Sequence, residues 1–285
     1  MDKTLEIGPF SVRVNSQIPS VLNSIDDLYP RYPRVDPGSF IDFTTRIFKP
    51  ATLRRWYRPQ VLFAHDDHIP FKPLPYEQAF PFFEWGLNWC ISNYAHQYLI
   101  IHSAIVEKNN VALVLPGMPG SGKSTLAAAL TGNGWRLLSD ELTLIDLVTL
   151  NAIPVPRPIS LKNNSIELIS KRYSNLFVSS PIHDTTKGTI AHVKVPDESV
   201  DLMKKPVRVK FIVLPQYNEK NNWNFSSLSK GQALMQLADL SFNYSVLGSL
   251  GFNALCSLVQ QCQTYQLHYG GDLNQATDFF NGLVE

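Results

Sequence analysis

The stretch "ALVLPGMPGSGKSTLAAALTGNGWRLLSDE", Ala112 to Glu141, decides the fold. A short apolar run leads into Gly117-Met-Pro-Gly-Ser-Gly122-Lys123-Ser124, which fits the pattern G-x-x-x-x-G-K-[ST]. Glycines at these places let backbone N–H groups converge on phosphate oxygens, the lysine reaches the β and γ phosphates, and the Ser124 hydroxyl suits Mg²⁺. A helix beginning at Lys123 would point its positive end at the same anion. The expected nucleotide-binding set is Gly117, Pro119, Gly120, Ser121, Gly122, Lys123, Ser124 and Thr125. A glycine-rich structural turn would leave Lys123 without a reason.

The end of the stretch, "WRLLSDE", reads as an apolar strand closing on Asp140 and Glu141. Such a strand supplies the metal-directed carboxylate that phosphoryl-transfer sites keep beside the loop. Neighbours on a strand alternate faces, so one acid is expected to face the nucleotide, and Asp140 is the choice. The expected metal-facing set is Ser124, Asp140 and Glu141. His102, in "LIIHSA" on the preceding strand, is by itself no more than a lone histidine.

Outward from this centre, "YLIIHSAIVE" and "NVALVLPG" read as strands joined by a turn at Lys108-Asn109-Asn110, and "KSTLAAALTG" as a helix closed by Gly132 or Gly134. From there to Pro215 the pattern suggests strand and loop, ending in "VRVKFIVLP". The tail reads as helical, with a capping box at Ser229 and Gln232 and a similar start at Asp272 and Gln275. Residues 1 to 75 read as strands and turns rich in proline, including a hairpin over "RPQVLFAHDDHIPFKPLP". "YEQAFPFFEWGLNWCISNYAHQ" reads as a buried helix bent at Pro81. The expected division is a β-rich accessory region over 1–95, ending in that aromatic helix, and a nucleotide-binding domain over 96–285.

Bulk properties narrow the function classes. The chain has 285 residues, 44% hydrophobic and 17% charged, with a formal net charge of +1. That balance offers no basic field for nucleic acid and no polybasic run for a membrane. The start lacks an apolar core of signal-peptide length, and three cysteines without a CxxC suit a reducing cytoplasm. "HDDH", His65 to His68, cannot readily converge on one ion from a hairpin tip. "RRWYR", Arg54 to Arg58, suits docking or packing better than nucleic acid. No N-K-x-D is present to read guanine. "SLSKGQALMQLADL" has an ABC-signature look, but the acidic pair precedes it rather than follows.

With a switch and a motor set aside, transfer of a phosphoryl group to a hydroxyl remains, and here the chain resembles a known family. "HSAIVEKNNVALVLPGMPGSGKSTLAAALTGNGWRLLSDE" is similar to the core of HPr kinase/phosphorylase, a bacterial serine kinase. "EWGLNWCI", "GWRLLSDE", "PRPISLKNNSI" and "KGTIAHV" resemble the subgroup called HPr-kinase-related kinase A, over nearly the whole chain. The resemblance implies an α/β P-loop kinase core of the HPr kinase and PEP carboxykinase type, a β-rich N-terminal portion and a helical tail. It implies ATP and Mg²⁺ as cofactors. The acceptor would be a serine or threonine of a peptide or small protein, with a peptide chaperone of the PqqD type as partner. A homo-oligomer stays open.

By the same resemblance, Asp140 would accept the hydroxyl proton, His102 would contact and orient that acid, and Glu141 would assist. The family has Asp-Asp, His-Gly and Arg-Gly where this chain has Asp140-Glu141, His102-Ser103 and Lys187-Gly188. Developing charge on the phosphoryl needs a cation beyond Lys123, and Arg157, Lys162 or Lys187 could serve or could be solvated surface charges. A nucleotide-binding regulatory module and a kinase of a small hydroxylated metabolite remain as alternatives.

Overall fold

The computed structural model describes residues 2–53 and 56–285. Arg54 and Arg55 of the "RRWYR" stretch lie outside the described residues. The first portion is a five-stranded sheet of β1 (Asp2–Ile7), β2 (Phe10–Ser16), β3 (Phe43–Phe48), β4 (Gln60–His65) and β5 (Leu74–Pro75), in that spatial order. A helix α1 (Pro19–Leu28) makes the crossover that lets β2 and β3 run parallel. The proline-rich composition pointed away from helix here. Pro19 instead opens the helix, where a missing N–H costs nothing and the fixed φ is already helical.

Helix α2 (Ala79–Tyr94) covers this sheet. Pro81 falls within its first turn, where no intrahelical bond is lost, so the expected bend has no cause. Gly86 sets how closely α2 approaches β4: a Cβ there would lie 2.0 Å from the Phe63 ring.

The central sheet contains β6 (Tyr98–Lys108), β7 (Val111–Pro116), β8 (Arg136–Ser139), β9 (Leu142–Asp146) and β10 (Asn151–Ile153) from the middle of the chain. A small sheet follows, built from β11 (Ile159–Lys162), β12 (Ile182–Thr185) and β13 (Gly188–Val193). The central sheet is completed by β14 (Val207–Tyr217), β15 (Asn224–Ser227) and β16 (Gln263–Tyr269). Its order is β10-β9-β6-β7-β14-β16-β15, with β8 also on β6 and β10 also on β14. β14 runs parallel to both β7 and β16.

The helices are α3 (Lys123–Gly132), α4 (Asn164–Arg172), α5 (Asp197–Asp201), α6 (Lys230–Asp239), α7 (Tyr244–Leu247), α8 (Ser249–Gln261) and α9 (Leu273–Val284). The β6–β7 turn forms as expected, with Asn109 and Asn110 both at positive φ. α3 occupies its expected residues and is followed by Gly134 in the left-handed region. The Ser229–Gln232 capping box is present, so the ABC-like stretch is a helix start.

"VALVLP" is buried on both faces, which explains its unbroken apolar run. Leu113 and Leu115 join the core under α3 and α9, and Ala112 and Val114 join the core under α6 and α8. The first of these cores continues without a break into the N-terminal sheet and α2. No helix among the described residues is long and apolar enough to cross a membrane.

Candidate functional site

The Gly117–Gly122 loop joins the buried strand β7 to α3, so its amides are held at the rim of the sheet. Gly120 and Gly122 both have φ of +89°, a region that a side chain would strain. At Gly122 space is also closed: a Cβ would sit 2.2 Å from the Tyr269 hydroxyl and 3.0 Å from Tyr217 Cβ. The loop is tied to the neighbouring strands, with the Tyr217 N–H donating to Ser121 O at 3.1 Å and the Tyr269 hydroxyl to Gly122 O at 3.3 Å. The first-turn amides of α3 are left to face outward as donors without intrahelical acceptors.

Lys123 sits at the first position of α3 and is 6% exposed. Its ammonium makes no hydrogen bond or ion pair among the described residues. Burial lowers its pKa, against a smaller opposing pull from Asp140 and Glu141. A cleft of about 1070 Å³ opens beside it, bounded by Gly120, Gly122, Lys123, Ser124 and Thr125 on one side. The rest of its lining comes from Lys162, α4, and Tyr217, Tyr269 and Gly271 at or just past the ends of β14 and β16. Of the other expected nucleotide residues, Pro119 is exposed, while Gly117 packs so closely on Ser121 that a Cβ would lie 2.5 Å from Ser121 Oγ.

The two acids also act on Lys123, and their arrangement corrects the expected alternation. β8 ends at Ser139, so Asp140 and Glu141 lie in a kink between strands, with Glu141 at φ +73°. The strand rule therefore does not separate them, and both interact electrostatically with Lys123. Asp140 is 6% exposed; its Oδ1 accepts from Ser124 Oγ at 3.0 Å and its Oδ2 from the Ser160 N–H at 3.2 Å. Burial and then Glu141 raise the Asp140 pKa above the usual carboxylate value, with Lys123 opposing. Glu141 is also pushed up by burial, but Lys187, Lys162, Lys123 and Arg157 together outweigh this and hold it below its usual value.

The remaining candidates distribute unevenly. Arg157 is not a surface charge. It is 5% exposed, donating to Glu84 Oε2 at 2.8 Å and to Asn88 Oδ1 at 2.7 Å. Its guanidinium is therefore directed at α2 rather than at the cleft. Lys187 lies at the β12–β13 turn with its ammonium 4.9 Å from the Trp85 ring centre, and burial lowers its pKa while Glu141 opposes. His102 packs against Phe242 with ring centres 5.6 Å apart and planes tilted by 54°. Its ring makes no hydrogen bond to Asp140, whose oxygens are taken by Ser124 and Ser160. Desolvation, then Lys123, lower the His102 pKa to about 4, so the ring is neutral near pH 7.

Ser124 Oγ, Asp140 and Glu141 form an all-oxygen donor set. Mg²⁺ uses one or two carboxylates together with phosphate and water oxygens, so these residues fit that ion. Among the described residues, no group of three or more His, Cys, Asp or Glu side chains could hold a metal. "HDDH" forms a tight turn whose ends, His65 and His68, pair with each other.

Residue-by-residue reading missed Ser160, Glu84, Trp85, Asn88, Tyr217 and Tyr269. The first four stand inside "PRPISLKNNSI" and "EWGLNWCI", and the two tyrosines close β14, which pairs with β7, and β16, which pairs with β14, at the sheet edge where ligands gather in α/β folds.

No family model matches the chain, and no curated protein matches it. Among solved structures it is similar to the HPr(Ser) kinase/phosphatase from Coxiella burnetii. The sequences are 12% identical, covering 65% of this chain and 96% of that one, with a TM-score of 0.27.

Proposed function

We propose that this chain is a phosphotransferase that moves the γ-phosphoryl group of ATP onto a hydroxyl of a peptide or small protein. The observation that carries the reading is the Lys123 ammonium, buried beside a large cleft at a helix start and making no hydrogen bond or ion pair among the described residues. A buried cation costs free energy unless something anionic meets it. Polyphosphate meets it here, held by Lys123, the loop amides and the first turn of α3. The aromatic ends of β14 and β16 line the same cleft and suit a nucleoside.

Hydrolysis alone would not need two acids so differently tuned. Asp140, with its raised pKa, has the greater proton affinity and suits a general base. The acceptor O–H gives its proton to an Asp140 oxygen as the oxygen lone pair bonds to the γ-phosphorus. The bond from that phosphorus to the β–γ bridging oxygen breaks, and ADP leaves with the electron pair. Mg²⁺, when bound, neutralises charge on the β and γ oxygens, and Ser124, Asp140 and Glu141 would hold it. Arg157 is committed to Glu84, which leaves Lys162, in the cleft wall, and Lys187, near Glu141, as the cations for the transferring group. The peptide or small-protein acceptor, and a PqqD-type chaperone to deliver it, rest on the sequence resemblance alone.

Calorimetric titration with Mg-ADP tests the premise. Binding to the wild-type protein, abolished in Lys123→Ala, is expected; equal binding by both proteins would refute it. Incubation with γ-labelled ATP and candidate peptides then reads the transfer.

A further inference from the structure

Helix α2 belongs to the N-terminal portion, yet three of its side chains each hold one charge near the acid pair. Glu84 accepts from Arg157 at 2.8 Å, Trp85 lies under the Lys187 ammonium at 4.9 Å, and Asn88 Nδ2 donates to Glu141 Oε2 at 2.7 Å. Positions i, i+1 and i+4 share one side of a helix, so a single rigid surface makes all three contacts. We propose that this face of α2 is an aligning part of the phosphoryl-transfer centre, with Asn88 setting Glu141 and Trp85 setting Lys187. The inference rests on the transfer reading above.

Two features argue for alignment rather than packing. Glu141 has φ +73°, a backbone state that persists only when its surroundings over-determine it. Asn88 supplies the missing restraint, and its amide has only one workable orientation. Arg157 is donor only, so its 2.7 Å contact fixes Asn88 Oδ1 as the acceptor and turns Nδ2 onto Glu141. The supports are themselves locked. Glu84 Oε1 accepts from the Tyr29 hydroxyl at 2.6 Å, and Gly86 seats α2 directly on Phe63. Trp85 acts through the face of its ring, which attracts the Lys187 cation and leaves that ammonium near Glu141.

Asn88→Asp separates the two roles. The new carboxylate keeps the volume and still accepts from Arg157, but it cannot donate to Glu141 and repels it. Trp85→Ala removes the ring, while Trp85→Phe keeps a ring face under the ammonium. The readouts are the affinity for Mg-ADP, the affinity for Mg-ADP with aluminium fluoride as a mimic of the transferring phosphoryl, and the thermal midpoint.

Wild type is expected to bind the mimic more tightly than Mg-ADP. Asn88→Asp and Trp85→Ala should lose roughly 10- to 100-fold of that tightening, as outer partners of a site commonly do. Trp85→Ala should keep its Mg-ADP affinity within about twofold of wild type, while Asn88→Asp, which disturbs a metal-facing acid, should lose less for Mg-ADP than for the mimic. Trp85→Phe should restore most of the tightening. Full tightening in both variants overturns the inference and leaves nucleotide binding standing. Equal losses for Mg-ADP and mimic, with a lowered thermal midpoint, overturn it in favour of packing. A wild-type protein that binds Mg-ADP without tightening also overturns it. Failure of wild type to bind Mg-ADP removes the transfer reading, and the inference with it.

Discussion

Lys123→Met keeps the aliphatic stem and removes only the buried ammonium. In the nucleotide-free protein that charge is pulled two ways: desolvation opposes it, and Asp140 and Glu141 favour it. Desolvation is the largest single influence, Lys162 and Lys187 add to it, and the net effect lowers the pKa. Removing the charge should therefore leave the free protein no less stable than wild type, with its thermal midpoint at or just above the wild-type one. The wild type should gain stability when nucleotide binds. Mg-ADP at 100 times its dissociation constant adds about 2.7 kcal/mol, or roughly 5 °C. Thermal unfolding with and without Mg-ADP reads both effects. The substituted protein should melt at or just above wild type when free and show no shift with Mg-ADP. A lower midpoint in the free protein combined with an undiminished shift would make Lys123 a structural residue and refute the reasoning.

Other consequences follow from the buried charges. Arg157→Ala strands the Glu84 carboxylate in the core, which should cost about 3–5 kcal/mol in denaturant unfolding; pairing it with Glu84→Met should return most of the loss. His102 bears on acid stability. Its folded-state pKa is about 4 against an ordinary 6.5, so the unfolded chain takes up a proton that the native ring refuses. Stability is thus fully present above pH 6.5 and declines as pH falls toward about 4. His102→Asn should make that decline shallower in pH-dependent melting curves, and an unchanged slope would remove the assignment.

The strand, loop and helix around Lys123 were legible because each carries a local signal: an unbroken apolar run, glycines at positive φ and a helix closing on Gly134. The turn at Asn109–Asn110 and the cap at Ser229 were legible for the same reason. α1 was hidden because residues 1–75 read as proline-rich strands and turns, whereas Pro19 starts a helix. α4 was hidden too, because "NNSIELISKR" has a weak apolar stripe, of which only Ile169 is fully buried. β16 was taken for part of a helical tail. "QTYQLHY" is half polar, and its place in the central sheet comes from pairing with β14, far away in sequence.

At the site, the acid pair was visible but its geometry was not. Strand alternation is a rule for strands, and Glu141 sits where the strand has already broken. The fate of Arg157 depended on Glu84, 73 residues earlier in the chain, a partner no local pattern announces. The accessory-looking helix therefore holds Arg157 and Lys187, which the sequence left open between a catalytic role and a solvated surface charge.

The most direct test is transfer from γ-labelled ATP by wild type and by Asp140→Asn, with Mg-ADP affinity measured on the same preparations. A general base contributes roughly 10²–10⁴-fold, so Asp140→Asn should lose transfer to that extent while still binding Mg-ADP. Transfer at the wild-type rate by Asp140→Asn would contradict the account, as would a wild-type protein that binds Mg-ADP and passes label to no hydroxyl.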